Sequence, residues 1–234
     1  FTKRIIASDV TDARSVFSAD VDGDGDVDVI AASQFKDSVT WYENDGSQNF
    51  SAHLITTSAD GVFGVFAADV DGDGDVDLLS ASVEDDTVAW YENDGSENFS
   101  AHTIAADMDF ATSVYAADID GDGDVDVLSS SFTDGITWHV NDGSETFSAA
   151  TIDSSVQGAQ TVIAADVDGD NDMDILSASQ NDDTIAWYRN DGGGAFSKQV
   201  ITATADEAKT VVAADIDGDG DVDVLSASAA NDTV

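Results

Sequence analysis

The chain has no cysteine and no proline among its 234 residues, and its seven basic residues face 49 acidic ones. Without cysteine there is no disulfide framework, no thiol catalysis and no cysteine-based zinc site. Without proline, every turn has to be made by Gly, Asn and Asp. The dearth of Lys and Arg leaves a formal net charge of −42, which repels nucleic acid and anionic membrane surfaces alike. No apolar run approaches the roughly 20 residues of a membrane-spanning helix, so no membrane insertion is expected. No basic segment followed by an apolar stretch opens the chain, so any export signal has been removed or lies outside it. The rest is ordinary: 42% hydrophobic residues is the content of a folded chain, not a disordered one. So large an acid excess would resist folding unless bound cations neutralised part of it, which is the first pointer to a metal.

Self-similarity sets the architecture. The segment SADVDGDGDVDVIAAS (residues 18–33) returns as AADVDGDGDVDLLSAS (67–82), AADIDGDGDVDVLSSS (116–131), AADVDGDNDMDILSAS (164–179) and AADIDGDGDVDVLSAS (213–228). Its leading aspartates are 49, 49, 48 and 49 residues apart. Trp41, Trp90, Trp138 and Trp187 keep the same phase, as do Phe1, Phe50, Phe99, Phe147 and Phe196. Cut before each Phe, the repeats run 1–49, 50–98, 99–146, 147–195 and 196–234.

Each repeat reads as short strands separated by turn signals. In the second, these are residues 64–69, 76–82, 87–92 and 99–104, with an Asp/Gly loop after the first and Asn93-Asp94-Gly95 before the last. Nothing has helical spacing or length. Four strands in a period of about 40–50 residues is the pattern of a propeller blade. The expectation is therefore an all-β, five-bladed β-propeller forming one domain, in which Phe1–Ile6 supplies the outer strand of the last blade. Part of a larger propeller or repeat array is the alternative, and a row of β-sandwiches is disfavoured because about 49 residues is short for a sandwich.

The chemistry lies in the loop D-x-D-G-D-G-D-x-D. Carboxylates at its positions 1, 3 and 5 curl around one ion if the chain turns sharply, and glycines at positions 4 and 6 permit that turn because they accept positive φ. Position 7 offers a backbone carbonyl, and the aspartate at position 9 closes the site. Calcium, which takes six to eight hard oxygen ligands, suits such a donor set. The five sets are Asp20, Asp22, Asp24, Asp26 and Asp28; Asp69, Asp71, Asp73, Asp75 and Asp77; Asp118, Asp120, Asp122, Asp124 and Asp126; Asp166, Asp168, Asp170, Asp172 and Asp174; and Asp215, Asp217, Asp219, Asp221 and Asp223. About five Ca²⁺, one per repeat, is the expectation. An EF-hand shares positions 1 to 9 but needs a Glu at position 12 and flanking helices. Position 12 here is Ala31, Ser80, Ser129, Ser177 or Ser226, and the flanks are strands. In the fourth loop Asn171 replaces the position-6 glycine, and Asn tolerates the left-handed region best among non-glycine residues.

The pattern V-x-A-A-D-[VI]-D-G-D-G-D-x-D-[VIL]-L-S-A-S resembles the FG-GAP/VCBS repeat family, which includes integrin α-chain propellers and bacterial surface proteins. The resemblance implies a calcium-stabilised propeller, secreted or displayed at a cell surface and used for adhesion or lectin-like ligand binding. Integrin propellers have seven repeats of which some carry the metal loop, so blade number and partner face do not transfer to this chain.

Other repeated features carry less. The pairs Trp41-Tyr42, Trp90-Tyr91 and Trp187-Tyr188, with Trp138-His139 as a variant, place one ring on each strand face. They read first as packing and second as a sugar platform. His53 and His102 occupy matching positions taken by Ala150 and Gln199 elsewhere, which does not suit a catalytic base. The triplets beginning at Asn49, Asn98 and Asn231 match the N-glycosylation acceptor pattern. No catalytic triad, phosphate loop or basic cluster appears. A non-enzymatic module that binds calcium, and glycans or a surface protein, is the leading functional reading. A self-associating surface-layer or filament subunit comes next, and a polysaccharide-active enzyme last.

Overall fold

A computed structural model describes residues 3–8 and 10–230. The chain divides into two compact units, Phe1–Ala111 and Thr112–Val234. The first contains two four-stranded antiparallel sheets. One is β1 (Ala13–Ala19), β2 (Asp28–Ser33), β3 (Ser38–Asn44) and β4 (Phe50–Thr56); the other is β5 (Val62–Ala68), β6 (Asp77–Ser82), β7 (Thr87–Asn93) and β8 (Phe99–Ala105). The second unit holds two more sheets of the same order, which start with β9 (Ala111–Ala117) at the boundary. They continue through β10 (Asp126–Ser131), β11 (Gly135–Asn141) and β12 (Phe147–Asp153), then β13 (Ala159–Ala165), β14 (Asp174–Ser179), β15 (Thr184–Asn190) and β16 (Phe196–Thr202). A two-stranded sheet follows, formed by β17 (Ala208–Ala214) and β18 (Asp223–Ser228).

Strands neighbouring in sequence are neighbours in space, so every sheet is a meander. Each four-stranded sheet takes its fourth strand from the opening of the next sequence repeat, as Phe50–Thr56 does for the first. The second-repeat strands expected from sequence match β5 to β8 within one residue at every end except the start of the first, which lies two residues earlier. Residues 3–8 form no strand, which corrects the expected outer strand at the N-terminus as far as it is described; Phe1 and Thr2 lie outside the described residues. The Asn231 triplet lies outside them as well.

Within each unit the sheets pack face to face through small and branched side chains. In the first unit Ile30, Ala32, Val39 and Trp41 from one sheet meet Val62, Val65, Leu78 and Tyr91 from the next, all of them buried. In the second unit Leu128, Ile136 and Trp138 meet Val162, Ile175 and Tyr188 by the same registry, and Leu176, Ala178 and Ile185 meet Ala208 and Val211. At about 25 cal/mol per Å² of apolar surface removed from water, these faces supply the main drive for stacking the sheets. The small residues before each loop leave room for the neighbouring sheet. Ala67, Ala116 and Ala164 are buried.

The tryptophan–tyrosine pairs are part of this packing. Trp41, Tyr42, Trp90, Tyr91 and Tyr188 are each at most 7% exposed, which favours packing over a sugar platform, and Trp187 is half-buried. Trp138 sits edge-on to Phe196 with centroids 6.0 Å apart, and His139 replaces the tyrosine, buried and bonded to the Ser129 hydroxyl at 2.8 Å. His53 and His102 are half-buried on outer strands, stacked on Trp41 and Trp90 at 4.5 and 4.6 Å. Their Nε2 atoms meet Glu43 and Glu92 at 2.7 Å, an arrangement that tethers outer strands and presents no nucleophile.

Candidate metal centres

Each aspartate loop links the first two strands of a sheet, and its own side chains wind it. In the first loop the Asp20 Oδ2 accepts the Gly25 N–H at 2.9 Å, the Asp22 Oδ1 accepts that of Asp24 at 3.1 Å, and the Asp24 Oδ1 accepts that of Asp26 at 2.8 Å. The same bonds recur in the second loop, from Gly74 to Asp69, Asp73 to Asp71 and Asp75 to Asp73. They require left-handed backbone at position 6, where φ is 95° at Gly25 and 99° at Gly74. Asn171 takes the same place at φ 71°, and its N–H still reaches the Asp166 Oδ2 at 3.0 Å. The substitution therefore keeps the position-6 bond, as its tolerance of the left-handed region predicts, while the Asp170 N–H turns to the Asp166 Oδ1 at 3.1 Å instead of to the position-3 carboxylate.

This winding brings three carboxylates together in every repeat, with one oxygen of each within 4.8 Å of the others. The sets are Asp20, Asp22 and Asp28; Asp69, Asp71 and Asp77; Asp118, Asp120 and Asp122; Asp166, Asp168 and Asp174; and Asp215, Asp217 and Asp223. Positions 1, 3 and 9 thus converge in four loops, and positions 1, 3 and 5 in the third. Position 7 does something different with its side chain. The carboxylates of Asp26, Asp75, Asp124 and Asp172 lie against Gly46, Gly95, Gly143 and Gly192, where a Cβ would collide with them. These aspartates brace the hairpin between third and fourth strands.

Position 9 is the hub. Asp28, Asp77, Asp126 and Asp174 have no exposed surface, and each takes an N–H from its own loop and another from the third strand. For Asp77 the donors are Val70 at 2.9 Å and Asn93 at 2.7 Å; for Asp28 they are Val21 at 3.1 Å, Asn44 at 2.7 Å and the Trp41 indole at 2.9 Å. Asp126 and Asp174 repeat the scheme with Ile119 and Asn141, and with Val167 and Asn190. In the fifth loop Asp223 takes the Ile216 N–H at 3.0 Å and is half-buried. The W-x-x-N-D-G signature encodes this latch: Asn44, Asn93, Asn141 and Asn190 are the asparagines of that signature. Sequence reasoning found the aspartate but missed its asparagine partner, because the two stand about 16 residues apart and a shared period does not by itself show a contact.

Burial pushes the Asp77 and Asp126 carboxyls up to about 6 despite the N–H groups donated to them. Burial also raises Asp22, Asp71 and Asp120, and neighbouring loop aspartates add to it. The mutual repulsion of clustered carboxylates is relieved by a cation. The residues fit one: the donors are hard oxygens, and the Asp20 Oδ1 is buried without a hydrogen-bond partner. The fourth loop differs in one respect. Arg189 on β15 places its Nε 2.7 Å from the Asp168 Oδ2 and its guanidinium nitrogen Nη2 3.2 Å from the Asp170 Oδ2.

An FG-GAP-like repeat model matches the chain four times, over residues 20–80, 70–129, 118–177 and 166–226. The chain belongs to the FG-GAP-like repeat family. Each match runs from the start of one loop, at its first aspartate or the residue after it, past the corresponding position of the next, so the family's unit is the loop-to-loop period read above. No curated protein matches the chain. Among solved structures, the crystal structure of a biofilm matrix protein from V. cholerae is similar, at 19% identity and a TM-score of 0.54. That likeness covers 93% of this chain but 34% of the other, so this chain spans about a third of that protein. The X-ray structure of a protein described as a gluconolactonase matches at 14% identity and a TM-score of 0.59, over 89% of this chain and 70% of that one. At these identities both likenesses concern the fold alone. No helix among the described residues is long and apolar enough to cross a membrane.

Proposed function

We propose that this chain is a calcium-binding, extracellular recognition or adhesion module without enzymatic activity, its sheets serving as blades of a β-propeller. The observation that carries the reading is the carboxylate triad formed in register in all five repeats, three of whose position-9 members combine full burial with ties to two strands. An ion held there joins the loop to the sheet, so calcium and fold are linked. Millimolar extracellular calcium suits sites of modest affinity. Five Ca²⁺ would move the formal charge from −42 to −32, which still keeps the surface strongly anionic and soluble. The fold likeness to a biofilm matrix protein supports an adhesive or structural role outside the cell. Against an enzymatic role stand the seven scattered basic residues and the tethered state of both half-buried histidines. Glycans or a surface protein are the ligand classes proposed, and the partner face lies away from the metal loops.

Calcium-free protein, made with chelator and then returned to calcium, tests this reading. A melting temperature that rises with calcium, together with about five ions by native mass spectrometry, is expected. An unchanged melting temperature refutes it. Glycan-array binding lost on chelation would identify the lectin branch.

A second reading, self-association into a surface layer or filament, draws on the outer face of the first sheet. Val16 is 69% and Leu54 62% exposed there, whereas Val65, Val114, Val162 and Val211, the counterparts of Val16, are all buried. Sedimentation over a concentration series separates the two: the assembly reading needs mass to grow with concentration.

A further inference from the structure

The first four loops are not electrostatically alike, and a difference comes from one position on the third strand of each four-stranded sheet. Two residues after the tryptophan stand Glu43, Glu92, Val140 and Arg189 in the first four repeats. In the second repeat the Glu92 carboxylate adds to the negative field at Asp71. In the first and second repeats the glutamate is also bonded to a histidine, as Glu92 is to His102 at 2.7 Å. In the fourth, the side chain reaches the loop itself, with one nitrogen 2.7 Å from Asp168 and another 3.2 Å from Asp170. Asp168 is the position-3 member of the loop's converging carboxylates, and Asp170 is its position-5 neighbour. A guanidinium held across both offers, from within the chain, the charge that the other loops lack.

Asn171 does not account for any difference by itself, since its backbone keeps the same bond to Asp166 as the glycines make elsewhere. The winding differs at position 5, where the Asp170 N–H turns to the Asp166 Oδ1 at 3.1 Å instead of to the position-3 carboxylate as in the other loops, and Asp168 meets Arg189. The pairing is partly solvent-exposed, with the Arg189 side chain at 41%, so it is worth little to stability. Its effect on a divalent ion is larger, because the ion is doubly charged and must either displace the guanidinium or bind beside it.

We propose that Arg189 is the resident cation of the fourth loop and makes that loop the weak site of the array, filled by calcium after the first and second. This inference rests on the calcium reading above and goes beyond it by ranking the sites. The array would then respond to calcium in steps. The first two loops load first, the third with its neutral Val140 follows, and the fourth fills last of these four. Coulomb interaction of one unit charge with a divalent ion at about 6 Å in a water-like medium corresponds to roughly a tenfold change in affinity. Replacing Arg189 by valine, the residue type of the third repeat, removes one such charge, and replacing it by glutamate removes two.

The test is a calcium titration of the full chain followed by heteronuclear NMR, because the loops report separately. The position-6 amide of the fourth loop belongs to Asn171, whereas Gly25 and Gly74 report the first two. In the wild type the Asn171 amide should reach its calcium-bound position at about tenfold or more higher calcium than Gly25 and Gly74. In Arg189→Val the gap should close by about tenfold, and in Arg189→Glu the Asn171 amide should move together with Gly25 and Gly74. Arg189→Lys keeps the charge and should keep the late transition. Coincident transitions in the wild type, or a gap unchanged in Arg189→Val and Arg189→Glu, overturn the inference while leaving calcium binding in place. If no amide responds to calcium, the proposed function fails, and the ranking with it. Arg189 lies on an exposed position, so folding of the variants is checked simply by their unshifted core amides.

Discussion

Removing the position-9 carboxylate should destabilise the protein even when no metal is present. In the Asp77→Ala variant the Val70 and Asn93 N–H groups, bonded to Asp77 at 2.9 and 2.7 Å, lose their acceptor in a site with no exposed surface. Each buried, unsatisfied N–H costs about 1–3 kcal/mol, a total of ~2–6 kcal/mol. Keeping the carboxylate buried has its own cost, visible in its upward shift to about 6, so the net loss falls towards the lower half, about 2–4 kcal/mol. A loss of that size is a large share of the stability of a typical domain. It corresponds to roughly a 10 °C fall in melting temperature for a chain of this length. Asp71→Ala is the control, since position 3 is half-buried and accepts the Asp73 N–H from within its own loop. Its metal-free loss should stay under about 1 kcal/mol, the net value of an ordinary exposed hydrogen bond. Urea or thermal unfolding of calcium-depleted protein, followed by circular dichroism, measures both. If Asp77→Ala melts with the wild type under those conditions, the hub has no structural role and position 9 serves the ion alone.

The remaining expectations concern metal, pH and the bracing turns. Saturating calcium at about 100 times its dissociation constant should add roughly 2.7 kcal/mol per site, so the melting temperature should climb by tens of degrees across the array; calorimetry with and without chelator reads it. Asp77 and Asp126 have folded-state values near 6, above the unfolded carboxylate value of 3.8, so in calcium-depleted protein the folded state holds more protons between about pH 4 and 6. Their contribution is fully present below pH 4 and lost as pH rises through 6, so metal-free protein should melt higher at pH 5 than at pH 7, and calcium should reverse the order. Gly95→Ala should be costly, because its φ of 69° is left-handed and a Cβ there meets the Asp75 carboxylate, whereas Gly72→Ala, at φ 75° with open space around it, should suffer the backbone strain alone. Equal melting temperatures for those two variants would contradict the bracing role of position 7.

Much of this molecule was legible before any coordinates. The 49-residue phase named the repeating unit, the alternation in Val76–Ser82 and Thr87–Glu92 named strands, and the D-x-D-G-D-G-D-x-D loop contained the aspartates that converge in threes. These signals are local, because strand alternation, glycine at left-handed positions and short-range Asx turns act over a few residues. Tertiary structure decided what depends on residues far apart in sequence. It turned the Trp–Tyr pairs into buried packing, sent the position-7 carboxylates to the hairpin glycines, and made position 9 a latch closed by an asparagine of the third strand. It also brought Arg189 to a loop that begins 23 residues earlier. The repeat pattern holds these residues at constant sequence distance, but only the folding of one strand against another converts that distance into a contact, and the low dielectric of the packed interior gives the contact its strength.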